Sequence, residues 1–154
     1  MTLYYLDASA LVKRYVAEPG SAFVTRLTSP SASNEVWLAM IGCVELVAAL
    51  YRCVNTGALS SSSAWNAEQA FRGDLQQMFQ PIDLTSSILA RAMGLAKLHY
   101  LRAYDEVQLA TVADLQNDRR ALNLSWPIFL SADQRLNQAA LAEGILVDDP
   151  NRYP

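Results

Sequence analysis

Two aspartates follow short apolar segments that are typical of buried strands. Asp7 comes directly after Leu3–Leu6, and Asp133 comes shortly after Ile128–Leu130. The carboxyl ends of parallel strands meet at one edge of a sheet, where ligands bind in open α/β folds. We therefore expect both carboxylates at that edge. A helix cap is the alternative for each, because aspartate is a favoured residue before the first turn of a helix.

Two further carboxylates lie in helical segments that are otherwise apolar. Glu45 stands in "MIGCVELVAALY", and Asp105 begins "DEVQLATV". Burying an ionised carboxylate is costly unless it has a partner or a metal ion. The alternatives are an exposed helix face for Glu45 and a favourable interaction with the helix dipole for Asp105.

A cluster of these four carboxylates would repel itself, which requires raised pKa values or bound cations. Oxygen ligands favour Mg²⁺ or Mn²⁺ over zinc. The single histidine, His99, has the sequence context of a surface residue, and no Cys/His set has zinc-ligand spacing. The sequence lacks the motifs of P-loop, dinucleotide-binding and serine-hydrolase sites. Mg²⁺ or Mn²⁺ is therefore the expected cofactor.

The composition indicates a single globular domain over residues 1–154, since 52% of the residues are hydrophobic. A net charge of −3 argues against a strong electrostatic nucleic-acid binder, although local charge can differ from the total. No targeting segment or membrane span is expected. Cys43 and Cys53 are placed on one helix about 15 Å apart, so they cannot pair with one another. A cytoplasmic protein is the expectation.

Apolar runs and helical periodicities alternate along the chain. Strands are predicted at Leu3–Leu6, Val36–Ala39, Gln80–Ile82, Ile128–Leu130 and Ile145–Val147. Helices are predicted at Ala10–Val16, Ser21–Leu27, Val44–Val54, Ser63–Phe79, Ser86–Leu98, Tyr104–Asn117 and Gln134–Glu143. The segment Ser63–Phe79 is either one long helix or a pair of helices, interrupted or bent near Gly73. This alternation predicts an α/β fold whose mainly parallel sheet of four to five strands is covered on both faces.

Four short segments, taken in order, resemble the PIN-domain family and specifically its VapC-type toxins. They are "YLDASALVKRYVAEPGS", "CVELVAAL", "RAYDEVQLATV" and "FLSADQRLNQAA". Their order and spacing match from residue 3 to about residue 150. The resemblance implies a three-layer α/β/α PIN-like fold.

The resemblance also implies an activity, a site and partners. The activity is metal-dependent endoribonuclease cleavage that leaves 5′-phosphate and 3′-hydroxyl ends, by the toxin of a toxin–antitoxin pair. The partners are an RNA substrate, a small cognate antitoxin and a second copy of the chain in a homodimer, with no membrane. The implied catalytic and metal-binding residues are Asp7, Glu45, Asp105 and Asp133, and the hydroxyls expected to orient them are Ser9 and Ser131.

The third segment departs from the family pattern. Relatives commonly read Asp-Ala-hydrophobic-His where this chain has Asp105-Glu106-Val107-Gln108. The additional carboxylate of Glu106 would lie either at the rim of the site or in solvent, and we expect solvent. We also expect Ser9 rather than Asp7 to cap the first helix. Upstream of Glu45, relatives often carry a serine or threonine that "MIGCV" lacks.

Two alternative functions remain open from the sequence. One is a PIN nuclease that processes RNA without an antitoxin, and the other is a non-catalytic PIN-like binding module. Four basic residues near the motifs are candidates for binding RNA phosphates: Lys13, Arg14, Arg102 and Arg135. The alternative for each is an ordinary solvated side chain. Four aromatic residues are candidates for interface contacts: Trp37, Trp65, Phe71 and Phe79. For most of them, packing in the core is the expected role.

Overall fold

A computed structural model describes residues 1–153 and contains a five-stranded parallel sheet. The strands are β1 (Leu3–Leu6), β2 (Glu35–Ala39), β3 (Phe79–Ile82), β4 (Ile128–Leu130) and β5 (Leu146–Asp148). Their order across the sheet is β3-β2-β1-β4-β5, and every neighbouring pair is parallel. The predicted α/β class and strand positions are confirmed, with all five strands parallel.

The sheet reverses its direction of growth at β1. Tyr4 pairs with Val36 of β2 on one side and with Ile128 of β4 on the other. The chain adds β2 and β3 on the first side, then returns to add β4 and β5 on the second. The gap between β1 and β4 is therefore the topological switch point, where open α/β sheets form ligand-binding crevices.

Seven helices connect the strands. They are α1 (Ala8–Leu11), α2 (Ser21–Leu27), α3 (Met40–Asn55), α4 (Ser61–Gln77), α5 (Ser86–His99), α6 (Ala103–Ala121) and α7 (Gln134–Ala142). Short 3₁₀ turns occur at Val12–Arg14, Pro30–Ala32 and Pro150–Arg152. Within residues 1–153, no helix is both long enough and apolar enough to cross a bilayer.

Alternating side chains of each strand separate two hydrophobic cores. Tyr5 of β1 packs into the core that α5, α6 and α7 share, whereas Leu6 packs against α1 to α4 on the other face. This alternation follows from the two-residue period of a strand. Helices on both faces give the three-layer α/β/α arrangement that the resemblance implies.

Several element boundaries differ from the predictions, most of them by one residue. Helix α3 begins at Met40, directly after β2, so strand and helix share no connecting loop. The first helix ends at Leu11, because Tyr15 and Val16 both donate to the Val12 carbonyl and turn the chain. Helix α4 runs without interruption through Gly73 and ends at Gln77, so Phe79, predicted as its last residue, is instead the first residue of β3.

The remaining sequence expectations about the scaffold are met in part. Cys43 and Cys53 are both free thiols, as predicted. Phe71 and Phe79 are buried in the core, whereas Trp65 is 57% exposed. His99 is largely shielded by its contact with Glu143, 2.6 Å away.

Candidate active site

The strand ends bring the first and fourth acidic segments together. The Asp7 N–H donates to the Leu130 carbonyl at 3.2 Å, which joins the residue after β1 to the last residue of β4. One step further across the sheet, the Ser131 N–H donates to the Asp148 carbonyl. Asp7 and the segment that leads to Asp133 therefore share the carboxyl edge of the sheet at the switch point.

Three of the four predicted carboxylates line one cavity of about 520 Å³. Glu45 is supplied by α3, Asp105 by the first turn of α6, and Asp133 by the residue before α7. Asp7 is only 5% exposed and is absent from the lining of the cavity. Through the Ser9 hydroxyl, which bonds both Asp7 and the Ala132 N–H, Asp7 is linked to the segment that supplies Asp133 to the cavity.

Asp7 caps α1 with one oxygen of its carboxylate. Its Oδ1 accepts hydrogen bonds from the Ser9 hydroxyl at 2.8 Å and from the Ala10 N–H at 3.1 Å. The expectation that Ser9 is the cap is wrong, because Ser9 lies inside α1 and its hydroxyl donates to Asp7. Burial, with the nearby charge of Glu45, raises the pKa of Asp7 to about 7 despite these hydrogen bonds.

Asp133 repeats this arrangement at the start of α7. Its Oδ1 accepts from the Arg135 N–H at 2.8 Å and from the Leu136 N–H at 3.0 Å. For both aspartates the capping bonds end on a single oxygen, which leaves Oδ2 for a second task. Capping and ligand binding are therefore compatible roles rather than alternatives.

Two serine hydroxyls connect the capped strand ends. Ser9 Oγ accepts from the Ala132 N–H at 2.9 Å and lies 3.5 Å from Ser131 Oγ. Ser131 Oγ accepts in turn from the Asp133 N–H at 3.1 Å. These contacts tie the segment after β1 to the segment after β4 and fix the separation of the two aspartates.

The carboxylates in the cavity repel one another. Partial burial raises the pKa of Glu45, and the charge of Asp105 raises it further. Partial burial likewise raises the pKa of Asp105, and the charge of Asp133 adds to that effect. A site with several such carboxylates is stabilised by a cation, which removes the repulsion and the cost of desolvation together.

The donor set suits a hard divalent cation. All four side chains offer carboxylate oxygens, and at Asp7 and Asp133 the hydrogen bonds within residues 1–153 end on one oxygen. Over the same residues, no three acidic, histidine or cysteine side chains converge into a ready-made metal cage. Mg²⁺ is usually held by one or two carboxylates and keeps several waters, so the residues fit such an ion without a closed cage.

Arginines border the acidic cavity. Arg52 and Arg102 line it beside the carboxylates, and Arg135 lines an adjoining smaller cavity with Asp105 and Asp133. The predicted positions of Arg102 and Arg135 near the site are therefore correct. Their guanidinium groups carry the charge and planar donors that bind phosphate.

The two other predicted basic contacts are used within the protein. Lys13 is 4% exposed and donates to Glu18 and to the Pro19 carbonyl, each at 2.9 Å. Arg14 donates to Asp74 at 2.7 Å. Both side chains hold the scaffold together and are not free to grip a substrate.

The expectation that Glu106 faces solvent is wrong. Its side chain is 2% exposed, and its Oε1 accepts the Leu101 N–H at 2.8 Å. Leu101 lies just before α6, where a backbone N–H has no partner inside the helix. Glu106 therefore folds back to satisfy that group, and its buried Oε2 has no hydrogen-bond partner within residues 1–153.

Sequence reasoning missed two residues of this region. Arg52 lies two turns after Glu45 on α3, and Gln108 lies one turn after Asp105 on α6. Residues at these spacings share a helix face, so helical periodicity alone contained the signal. Gln108 donates to Glu45 Oε2 at 2.7 Å, which makes it the direct neighbour of a candidate ligand.

Comparison with known proteins identifies close relatives, although no protein-family model matches the chain. Two curated relatives are Ribonuclease VapC45 and Ribonuclease VapC49, from Mycobacterium tuberculosis strains CDC 1551 and H37Rv. Each is 30% identical to this chain over 147 residues, which cover 96% of this chain and 95% of the relative.

Solved structures share the fold at lower sequence identity. A protein from Pyrobaculum aerophilum is 16% identical, with a TM-score of 0.63 over 98% of this chain and 85% of the other. VapBC2 from Rickettsia felis, bound to a DNA fragment from its promoter, is 10% identical, with a TM-score of 0.61 over 96% and 98%. A toxin–antitoxin complex from Klebsiella pneumoniae is 16% identical, with a TM-score of 0.59 over 96% and 97%.

The fold and the nearly full-length match to two VapC proteins lead to the same assignment as the four ordered acidic segments. This chain belongs to the VapC family of PIN-domain proteins.

Proposed function

We propose that this protein is a metal-dependent endoribonuclease that acts as the toxin of a toxin–antitoxin pair. The observation that carries the proposal is the cavity at the sheet switch point, where Glu45, Asp105 and Asp133 meet beside the buried Asp7. The printed names of the two mycobacterial relatives, both ribonucleases, support RNA as the substrate.

The side chains of the site have distinct roles in the proposed reaction. Glu45, Asp105 and Asp133 would hold Mg²⁺ or Mn²⁺ in the cavity, and Asp7, whose Oδ2 accepts no hydrogen bond within residues 1–153, would be the fourth carboxylate. When bound, the ion supplies positive charge that lowers the pKa of water and neutralises the phosphate in the transition state. Arg52 and Arg102, which line the same cavity, would bind phosphates of the RNA.

The direct test is cleavage of RNA in the presence of Mn²⁺, with the ends of the products mapped. We expect 5′-phosphate and 3′-hydroxyl ends from the wild type, and a loss of at least about a hundredfold for Asp105→Asn. Asp118→Asn, an exposed aspartate further along α6, is the matched control and keeps full activity. Equal cleavage by the wild type and Asp105→Asn would overturn the site assignment.

An antitoxin partner is supported by a second surface. An apolar groove of about 520 Å³ runs between α3 and α4, and Val44 and Ala48 line both this groove and the acidic cavity. A partner segment that places apolar side chains in the groove would therefore bring a basic side chain into the cavity. The structural neighbours that are titled as toxin–antitoxin complexes agree with such a partner.

A homodimer is proposed through a different face. Helix α5 exposes Leu89 and Met93 one turn apart, and Tyr100 is exposed directly after the helix. Met93→Glu is expected to shift the protein toward the monomer in analytical ultracentrifugation. Val44→Glu is expected instead to abolish co-purification with the small protein encoded by the neighbouring gene. Each variant is the control for the other, and an exchange of the two effects would contradict the assignment of surfaces.

The same partner experiment separates the alternatives. Growth arrest on expression that is relieved by the neighbouring protein is expected of a toxin. RNA cleavage without such relief would favour a processing nuclease. No cleavage and no stabilisation by Mn²⁺ would favour a binding module.

A further inference from the structure

The side chain of Gln108 is held at both ends inside the protein. It is 1% exposed on α6 and reaches across the gap between β1 and α3. The Tyr5 hydroxyl donates to its Oε1 at 2.6 Å, and its Nε2 donates to Glu45 Oε2 at 2.7 Å. A fully buried phenol of the central strand is thereby connected to a carboxylate of the cavity through one amide.

The chemistry of the two neighbours fixes the direction of the amide. An ionised carboxylate only accepts hydrogen bonds, so the NH₂ group of Gln108 must face Glu45. The carbonyl oxygen is then directed toward Tyr5, whose hydroxyl donates to it. An amide flipped by half a turn would set its oxygen against the Glu45 carboxylate and break that hydrogen bond, because both groups only accept.

The glycine at position 42 gives the Gln108 amide space against the backbone of α3. A β-carbon at Gly42 would lie 3.1 Å from Gln108 Nε2, which is tighter than an ordinary contact. The amide therefore packs directly on bare helix backbone, one turn before Glu45. This close packing restricts movement of the Gln108 amide toward α3, and the two hydrogen bonds fix its oxygen and its nitrogen.

The contact determines how Glu45 meets the cavity. The half-buried carboxylate uses Oε2 for the Gln108 amide, and Oε1 accepts no hydrogen bond within residues 1–153. The amide also opposes the effect of desolvation, which favours the uncharged acid. Without it, Glu45 would lose its only fixed partner among the described residues and rotate among side-chain conformations.

We propose that Gln108 is a positioning residue, which the Tyr5 hydroxyl orients and which in turn holds the Glu45 carboxylate ready for a divalent cation. The proposal rests on the proposed function for the task of Glu45, but the contact itself is independent of it. Partners that orient a metal ligand typically change metal affinity 10- to 100-fold when they are removed.

The first experiment measures Mn²⁺ binding by titration calorimetry together with RNA cleavage. Gln108→Met keeps the length of the side chain without its hydrogen bonds, and we expect the Mn²⁺ dissociation constant to rise about tenfold. Gln116→Met, on the same helix and away from the cavity, is the matched control and leaves Mn²⁺ affinity unchanged. Wild-type Mn²⁺ affinity in a folded Gln108→Met protein would overturn the proposal.

A double-mutant cycle tests whether Tyr5 acts on Glu45 through Gln108. Tyr5→Phe removes one oxygen from the core, and we expect it to raise the Mn²⁺ dissociation constant about threefold in the wild type. In the Gln108→Met background the same change should have no effect on Mn²⁺ affinity. Equal effects in both backgrounds would mean that Tyr5 acts by packing alone, and would overturn the proposal that it orients Gln108. Tyr5→Phe in the wild type also provides the test if Gln108→Met does not fold.

A spectroscopic measurement separates this proposal from the proposed function. In the metal-free protein, the ¹⁵N–¹H signals of the Gln108 side-chain amide should shift in both Tyr5→Phe and Glu45→Gln. Unchanged signals would overturn the positioning role whatever the protein catalyses. Shifted signals in a protein that neither binds Mn²⁺ nor cleaves RNA would overturn the proposed function and keep the contact.

Discussion

The Ser9 hydroxyl donates a hydrogen bond to Asp7 Oδ1 while it accepts one from the Ala132 N–H. One hydroxyl therefore fixes the carboxylate after β1 and the backbone after β4. The position of the candidate ligands relative to one another depends on this bridge, and it can be removed by deleting a single oxygen atom.

We predict that Ser9→Ala lowers the free energy of unfolding by about 1–2 kcal/mol, because the Ala132 N–H loses its partner. RNA cleavage should fall about tenfold, since Asp7 is held less firmly. Urea denaturation and cleavage assays measure the two effects. Ser87→Ala, an exposed serine of α5, is the control for a lost hydroxyl. Unchanged cleavage by Ser9→Ala would show that the bridge does not position Asp7.

The buried carboxyl of Asp7 predicts how stability depends on pH in the metal-free protein. Its pKa rises from 3.8 to about 7 on folding, so the folded protein binds a proton more tightly than the unfolded chain. The resulting stabilisation is complete below about pH 4 and is lost as the pH rises toward 7. The raised pKa values of Glu45 and Asp105 act in the same direction.

Asp7→Asn should therefore be more stable than the wild type at pH 8 in EDTA, by roughly 2–4 kcal/mol, while it loses RNA cleavage. Asparagine keeps a capping oxygen for the Ala10 N–H. Chemical denaturation at pH 5 and pH 8 measures the difference. A wild-type protein whose stability rises from pH 5 to pH 8 in EDTA would contradict the predicted protonation of Asp7.

The arginines beside the cavity predict a salt-dependent effect on RNA binding. The logarithm of the RNA binding constant falls linearly with the logarithm of the salt concentration. Each phosphate contact from Arg52 or Arg102 should contribute about 0.7 to the steepness of that slope. Alanine at both positions should flatten that slope by about 1.4 in the inactive Asp105→Asn protein. Arg120→Ala, exposed at the far end of α6, should leave the slope unchanged. A double variant with the wild-type slope would exclude the two guanidinium groups as phosphate ligands.

Removing the charge of Glu106 and removing its carboxyl oxygens should affect the stability of the protein differently. Glu106→Gln keeps an acceptor for the Leu101 N–H and should be about as stable as the wild type. Glu106→Ala leaves that N–H without a partner and should lower the free energy of unfolding by about 1–2 kcal/mol. Thermal and urea denaturation of the two variants measure the contrast. Equal stability of Glu106→Ala and the wild type would show that this contact contributes nothing.

Local sequence signals predicted the sheet and three of the residues that meet in the cavity. Apolar runs mark buried strands, and an acid after each of β1 and β4 identifies the sheet edge without knowledge of the third dimension. Glu45 was detectable because a carboxylate in an apolar stretch of helix needs a partner.

Other features depend on contacts between segments far apart in the chain. Nothing near Glu106 shows that the Leu101 N–H needs its carboxylate, and nothing near Lys13 reveals the acceptors that bury it. The partner of Gln108 on β1 likewise becomes visible only when strand and helix are packed together. Such pairings are properties of the tertiary structure, and short-range patterns do not carry them.

The central place of β1 has a consequence for synthesis of the chain. A ribosome makes Asp7 well before the neighbouring strand β4 and the capping Asp133, because the whole of β2 to α6 lies between them in the chain. A nascent chain that stops before β4 has an open edge on β1 and lacks one wall of the acidic cavity. The growing polypeptide therefore cannot assemble the complete site until β4 and Asp133 have left the ribosome.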